Sequence, residues 1–126
     1  MSGADMTAAA REGRTAIVAR QNDQFRAMLA CGYPSGIPGR VVITPGVAEK
    51  GLEFLVLLQL AVAGFADFNE DNDPYGDHTF GVVEVCGARV FWKIDLYDEH
   101  YRFGAENPEN PETTRRVLTV LLPSEY

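Results

Sequence analysis

The chain has 126 residues, 46% hydrophobic and 23% charged, which suits one domain with a real core and excludes a disordered chain. Its net charge of −7 is unevenly placed: residues 1–50 carry six Lys/Arg against four Asp/Glu, and residues 51–126 carry five against fourteen. Such an acidic second half repels phosphates, so it argues against direct binding to nucleic acid and leaves a basic protein surface as the natural counterpart.

Residues 1–7 are small and polar and read as a flexible tail of the single domain 1–126. They contain no apolar stretch of a signal peptide, so a cytoplasmic location is expected. The first helix is expected over residues 8–30, with Ile17, Phe25, Met28 and Leu29 facing inward and Arg14, Arg20, Asp23 and Arg26 pointing elsewhere. Cys31-Gly32 offers a left-handed stop, and the prolines and glycines of residues 34–39 make a loop. A short strand follows at Arg40–Thr44. Thr44-Pro45 then opens a second helix running to about Gly64, with a hydroxyl at the cap and proline in the first turn. Its apolar run is too short to cross a bilayer and apolar nearly all round, so it is expected to be covered on more than one side. Cys31 and Cys86 form no metal-binding pair and are expected as small, reduced, buried side chains.

After residue 78 the hydrophobic period changes to two. Thr79–Val85 and Ala88–Tyr97 flank Cys86-Gly87, a two-residue hairpin turn that pairs Val85 with Ala88, Val83 with Val90 and Gly81 with Trp92. Val83, Val85, Val90, Trp92, Ile94 and Leu96 then share an apolar face toward the core. Phe80, Val82, Glu84, Arg89, Phe91, Lys93 and Asp95 share the other. Residues 98–114 form a polar excursion, Arg116–Leu122 a last strand, and residues 123–126 a tail. The expected fold is α+β: two N-terminal helices packed on an antiparallel sheet of three to four strands, a two-layer sandwich.

The chemistry concentrates in Asn69-Glu-Asp-Asn-Asp-Pro-Tyr-Gly-Asp-His78. Asp71 and Asp73 imitate the opening of a calcium loop, yet Tyr75 and Val82 stand where oxygen ligands are needed, so no metal and no cofactor are expected. His78 with Asp77, Asp73 and Lys93 would be the acid–base group of a small enzyme or hydrolase, although no nucleophile motif accompanies them. The architectural reading is a helix-to-strand turn, in which Asp and Asn side chains bond their own backbone around Pro74 and Gly76. The recognition reading is an acidic, aromatic-edged surface of Asp67, Glu70, Asp71, Asp73, Tyr75 and Asp77, with Phe91 on the second sheet face as a further contact. An exposed patch around Phe91 would also suit a homodimer.

NDPYGDHTFG, RVFWKIDLYD and the closing RVLTVLLPSEY, with ITPGVA at Ile43–Ala48, carry a resemblance. The chain resembles a family of small alphaproteobacterial proteins, often borne on plasmids and other mobile elements and grouped as a domain of unknown function. It departs from that family's pattern at Asp77, where Glu is usual, at Thr79, where Asp is usual, and at Leu96, where Tyr is usual. The resemblance implies no known activity. It does imply a mobile-element setting, in which small acidic proteins block host defence or nucleic-acid-handling proteins. A binding module for a basic host protein is the leading expectation, ahead of an enzyme, with no membrane partner.

Overall fold

A computed structural model describes residues 8–32 and 34–126, so the expected tail at residues 1–7 lies outside the described residues. The first helix, α1, spans Ala8–Cys31 and ends at Gly32, whose φ of +72° and bond from its N–H to the Met28 carbonyl make the expected left-handed stop. Of the residues expected to face inward, Phe25 is buried and Met28 and Leu29 pack against the core, whereas Ile17 does not. Val18, Ala19, Asn22, Phe25 and Arg26 are buried and Ile17 is exposed. Their spacing is helical, but two of the five are polar, so apolar periodicity alone misses Asn22 and Arg26.

Strand β1 (Gly39–Ile43) leads to α2 (Pro45–Ala48) and α3 (Leu52–Ala63). The single second helix of the expectation is thus two: Gly51, at φ +96°, turns the chain between them. Thr44 does precede the proline at the helix start, but its hydroxyl does not cap α2. Glu125 does this from the far end of the chain. One carboxylate oxygen accepts from the Gly46 N–H at 3.0 Å and the other from the Thr44 hydroxyl at 2.7 Å. The expected tail is therefore a short 3-10 turn, Pro123–Glu125, whose Glu125 carboxyl is held below its ordinary value mainly by the Leu122 N–H.

Strands β2 (Phe80–Val85) and β3 (Ala88–Asp98) pair in the expected register, with Gly81 opposite Trp92 and Val83 opposite Val90. Cys86 and Gly87 both have positive φ, as a type I′ turn requires. Strand β4 (Thr114–Leu121) is antiparallel to β3, and β1 is parallel to β4, giving the order β1-β4-β3-β2. The sheet is therefore mixed, where an antiparallel one was expected. The fold is α+β, with three α-helices and four strands among the described residues.

One core joins Phe25 of α1, Val47 of α2, Phe54, Leu58 and Val62 of α3, and the Trp92-bearing side of the sheet. Val83, Val85, Val90, Trp92 and Ile94 are buried as expected, whereas Leu96 is half-buried at the rim. Both cysteines are exposed, contrary to expectation, because Cys31 closes a helix and Cys86 sits in a hairpin turn. Among the described residues no helix is long and apolar enough to cross a membrane.

Candidate functional site

The segment between α3 and β2 is fixed by its own short polar side chains. Asn69 Oδ1 accepts from the N–H groups of Asp71 and Asn72, Asn72 Oδ1 accepts from the Asn69 N–H, and Asn72 Nδ2 donates to the Asp67 carbonyl. Asp73 Oδ1 accepts from the His78 N–H at 3.1 Å, closing the turn around Pro74 and Gly76. His78 itself has φ +58°, a left-handed conformation more accessible to His, Asn and Asp than to most residues.

The loop is then bolted to α1. His78 Nδ1 lies 2.9 Å and 3.1 Å from the two carboxylate oxygens of Asp23, and Nε2 lies 3.5 Å from Asp73 Oδ2. Phe68 covers the imidazole face, stacked at 3.7 Å between centroids. Beneath this, buried Arg26 donates to Asp23 at 2.6 Å and to the carbonyls of Val62 and Phe65 at 2.7 Å and 3.0 Å. Its guanidinium also lies over the Trp92 ring, 4.7 Å from the centroid. Val62 is in the last turn of α3 and Phe65 lies just beyond its end, where no further helical turn supplies donors; the Val62 carbonyl otherwise has only the Phe65 N–H at 3.3 Å. Asn22 adds a second bolt, donating to the Asp77 carbonyl at 2.8 Å while accepting from Arg116 Nε.

Asp73 and His78 thus come together, joined by Asp23, which sequence reasoning had assigned to the outside of the helix. The other two members of the acid–base group stand apart. Lys93 is on the opposite sheet face, 2.8 Å from Asp95, and that contact raises its pKa. Asp77 accepts from the Thr79 hydroxyl, and burial pushes its carboxyl up from the ordinary value. It lines a groove of about 360 Å³ with Arg14, Val18, Leu96 and Ala105. Both His78 nitrogens face carboxylates, and its ring lines none of the three grooves at this end of the molecule. Among the described residues no three His, Cys, Asp or Glu side chains are grouped to hold a metal ion.

The recognition residues divide by the same geometry. Asp67, Glu70, Asp71 and Tyr75 are on the outer side of the loop and exposed, Tyr75 at 82%. Asp73 is turned inward. Phe91 lies on the open sheet face against Phe80 and Tyr126, with ring centroids 5.5 Å and 5.8 Å away. A residue that the sequence reading passed over is Phe103, 72% exposed on the excursion between β3 and β4. Beside it Asp98, Glu99, Glu106 and Asn107 line a concavity of about 300 Å³. Arg26 and Asn22 were legible only as members of the Phe25 stripe at helical spacing.

By architecture this is an α+β domain whose polar side chains mainly fix one loop against one helix. The chain belongs to the family described as a protein of unknown function, DUF3768, whose model matches residues 43–125. No curated protein and no solved structure gives a match. The matched span holds Asp73 and His78, whereas their anchors Asp23 and Arg26 precede it.

Proposed function

We propose that this protein is a binding module whose acidic end recognises the basic surface of another protein. One observation carries the reading. The segments 64–79 and 99–113 lie side by side, since Asp77 shares a groove with Gly104 and Ala105, and together they hold nine carboxylates and one arginine. Six of the nine (Asp67, Glu70, Asp71, Glu99, Glu106 and Glu112) are exposed, with Tyr75 and Phe103 projecting among them. Carboxylates steer and orient a basic partner, and exposed aromatics supply anchoring contacts. The bolted loop adds preorganisation, since less ordering is left to do on binding.

The specific form of the proposal is a partner that itself handles nucleic acid, with the acidic end occupying the surface that phosphates otherwise fill. A mobile-element inhibitor of host defence is the setting that the sequence resemblance suggests for it. The test is capture from host lysate by wild-type protein beside a folded Glu70→Lys/Asp71→Lys/Tyr75→Ala variant. A partner held by wild type, lost by the variant and released by added nucleic acid supports the reading. A partner retained equally by both proteins refutes it.

A further inference from the structure

The groove between α1 and the excursion after β3 offers about 360 Å³ between apolar walls of Val18, Leu96, Ala105 and Pro108. Sites for small groups share this make-up, apolar walls with a few polar side chains set among them. Among the described residues three polar side chains line the groove, and two are already engaged. The Thr15 hydroxyl donates to the Arg11 carbonyl at 2.9 Å, and Arg14 lies 3.4 Å from Glu109. Asp77 differs. Its Oδ1 accepts from the Thr79 hydroxyl at 3.1 Å, but no cation among the described residues pairs with it. Burial, and besides it the nearby Asp73 carboxylate, push its carboxyl up from the ordinary value. A half-buried carboxylate without a cation costs stability, and proteins keep such costs at sites that a ligand completes.

We propose that this groove takes one lysine side chain of the basic partner, with its ammonium on Asp77 and its methylenes along the apolar walls. The inference rests on the acidic-end reading, because Asp77 and Ala105 belong to the two segments of that end.

Charge and shape choose the occupant. The positive charge of Arg14 is answered by Glu109, so the groove presents the unanswered negative charge of Asp77. A lysine stem is apolar up to its last atom and lies well along aliphatic walls while the ammonium reaches a polar group. Arginine fits less well. Thr79 already occupies Oδ1, which leaves Oδ2 for a point charge and not the two parallel bonds that a guanidinium makes to a carboxylate. Nor does an aromatic ring line the groove for a guanidinium to stack on, among the described residues.

The test titrates a capped lysine, Nα-acetyl-lysine methylamide, into the whole isotope-labelled chain at constant ionic strength, read by amide chemical shifts. Saturable shifts are expected at Val18, Asp77, Gly104 and Ala105, with a dissociation constant in the millimolar range. Asp77→Asn keeps the shape and removes the charge, and should weaken binding by about tenfold or more. Acetylating the probe at Nε keeps the stem, removes its charge and should weaken binding as much. The capped arginine should bind more weakly than the capped lysine. Absence of saturable shifts at these residues overturns the proposal, as do equal binding by the Asn variant and tighter binding of arginine. The probe needs no partner, and the Glu70→Lys/Asp71→Lys/Tyr75→Ala variant leaves the groove intact, so the two readings fail separately. A partner lost by that variant without lysine shifts refutes the groove alone. Lysine shifts with a partner retained by that variant refute the acidic surface alone.

Discussion

Replacing Arg26 tests how the candidate site is held. The guanidinium is buried and serves two carbonyls at the end of α3, the Asp23 carboxylate and the Trp92 ring. Arg26→Ala leaves the Phe65 carbonyl without its donor, at about 1–3 kcal/mol where it is shut from water, leaves the Val62 carbonyl with the Phe65 N–H at 3.3 Å, and removes a cation–π contact of up to about 2 kcal/mol. Relaxation and water entry return part of this, so a net loss of roughly 2–4 kcal/mol is expected. A chain of this length has a total stability of about 6–19 kcal/mol, so the variant should fold but melt early. Asp23 is partly exposed, so its ion pair is screened, and Asp23→Asn should cost about 1 kcal/mol or less. Urea titration reports both changes through the fluorescence of Trp92, the chain's one tryptophan and a buried one. Equal losses from the two variants would refute this account and make the ion pair, not the carbonyl cap, the source of stability.

Asp77→Asn tests a titration. Burial raises the Asp77 pKa above its ordinary 3.8, so the folded state holds that proton more tightly than the unfolded chain does. This contribution is complete below pH 3.8 and is lost as pH rises through the raised folded value. The neutral amide should therefore raise the melting temperature at pH 7, with the gain vanishing below pH 3.8 in a calorimetric pH series; no gain at pH 7 would count against the burial argument. Gly81→Ala tests the hairpin: the added methyl would run into the Trp92 indole across the register, at a cost of about 1–3 kcal/mol or more. A wild-type urea midpoint and near-ultraviolet spectrum for that variant would show that the ring can move aside.

Legibility followed the range of the forces involved. The hairpin register could be read because a two-residue turn and a period of two act between near neighbours. The Asx bonds of residues 67–78 were legible for the same reason, as was the apolar face that Trp92 shares. What the sequence hid was long-range or polar. Pairing of β1 with β4 joins residue 39 to residue 116, and no local pattern announces a parallel partner. The inward turn of Asn22 and Arg26 was hidden because charged and amide side chains read as solvent-facing until their buried partners are known. The same assumption hid Asp23 as the anchor of His78. The exposure of Leu52, Val56 and Leu60 reversed the expectation of an apolar helix covered on more than one side, since α3 buries only the stripe of Phe54, Leu58 and Val62.

The parallel edge has a consequence for synthesis. Translation delivers β1 long before β4, since Gly39 pairs with Arg116, 77 positions later. At ~5–20 residues per second, that interval is roughly 4–15 s. Throughout it Val41-Val42-Ile43 has no strand to join, and these side chains stay partly exposed even in the finished sheet. The hairpin of β2 and β3 can form in the meantime, but the sheet closes only when β4 slides between β3 and β1. A nascent chain stalled before residue 114 therefore presents a bare β-branched ribbon to its neighbours, so the yield of soluble protein depends on how quickly that stretch is translated.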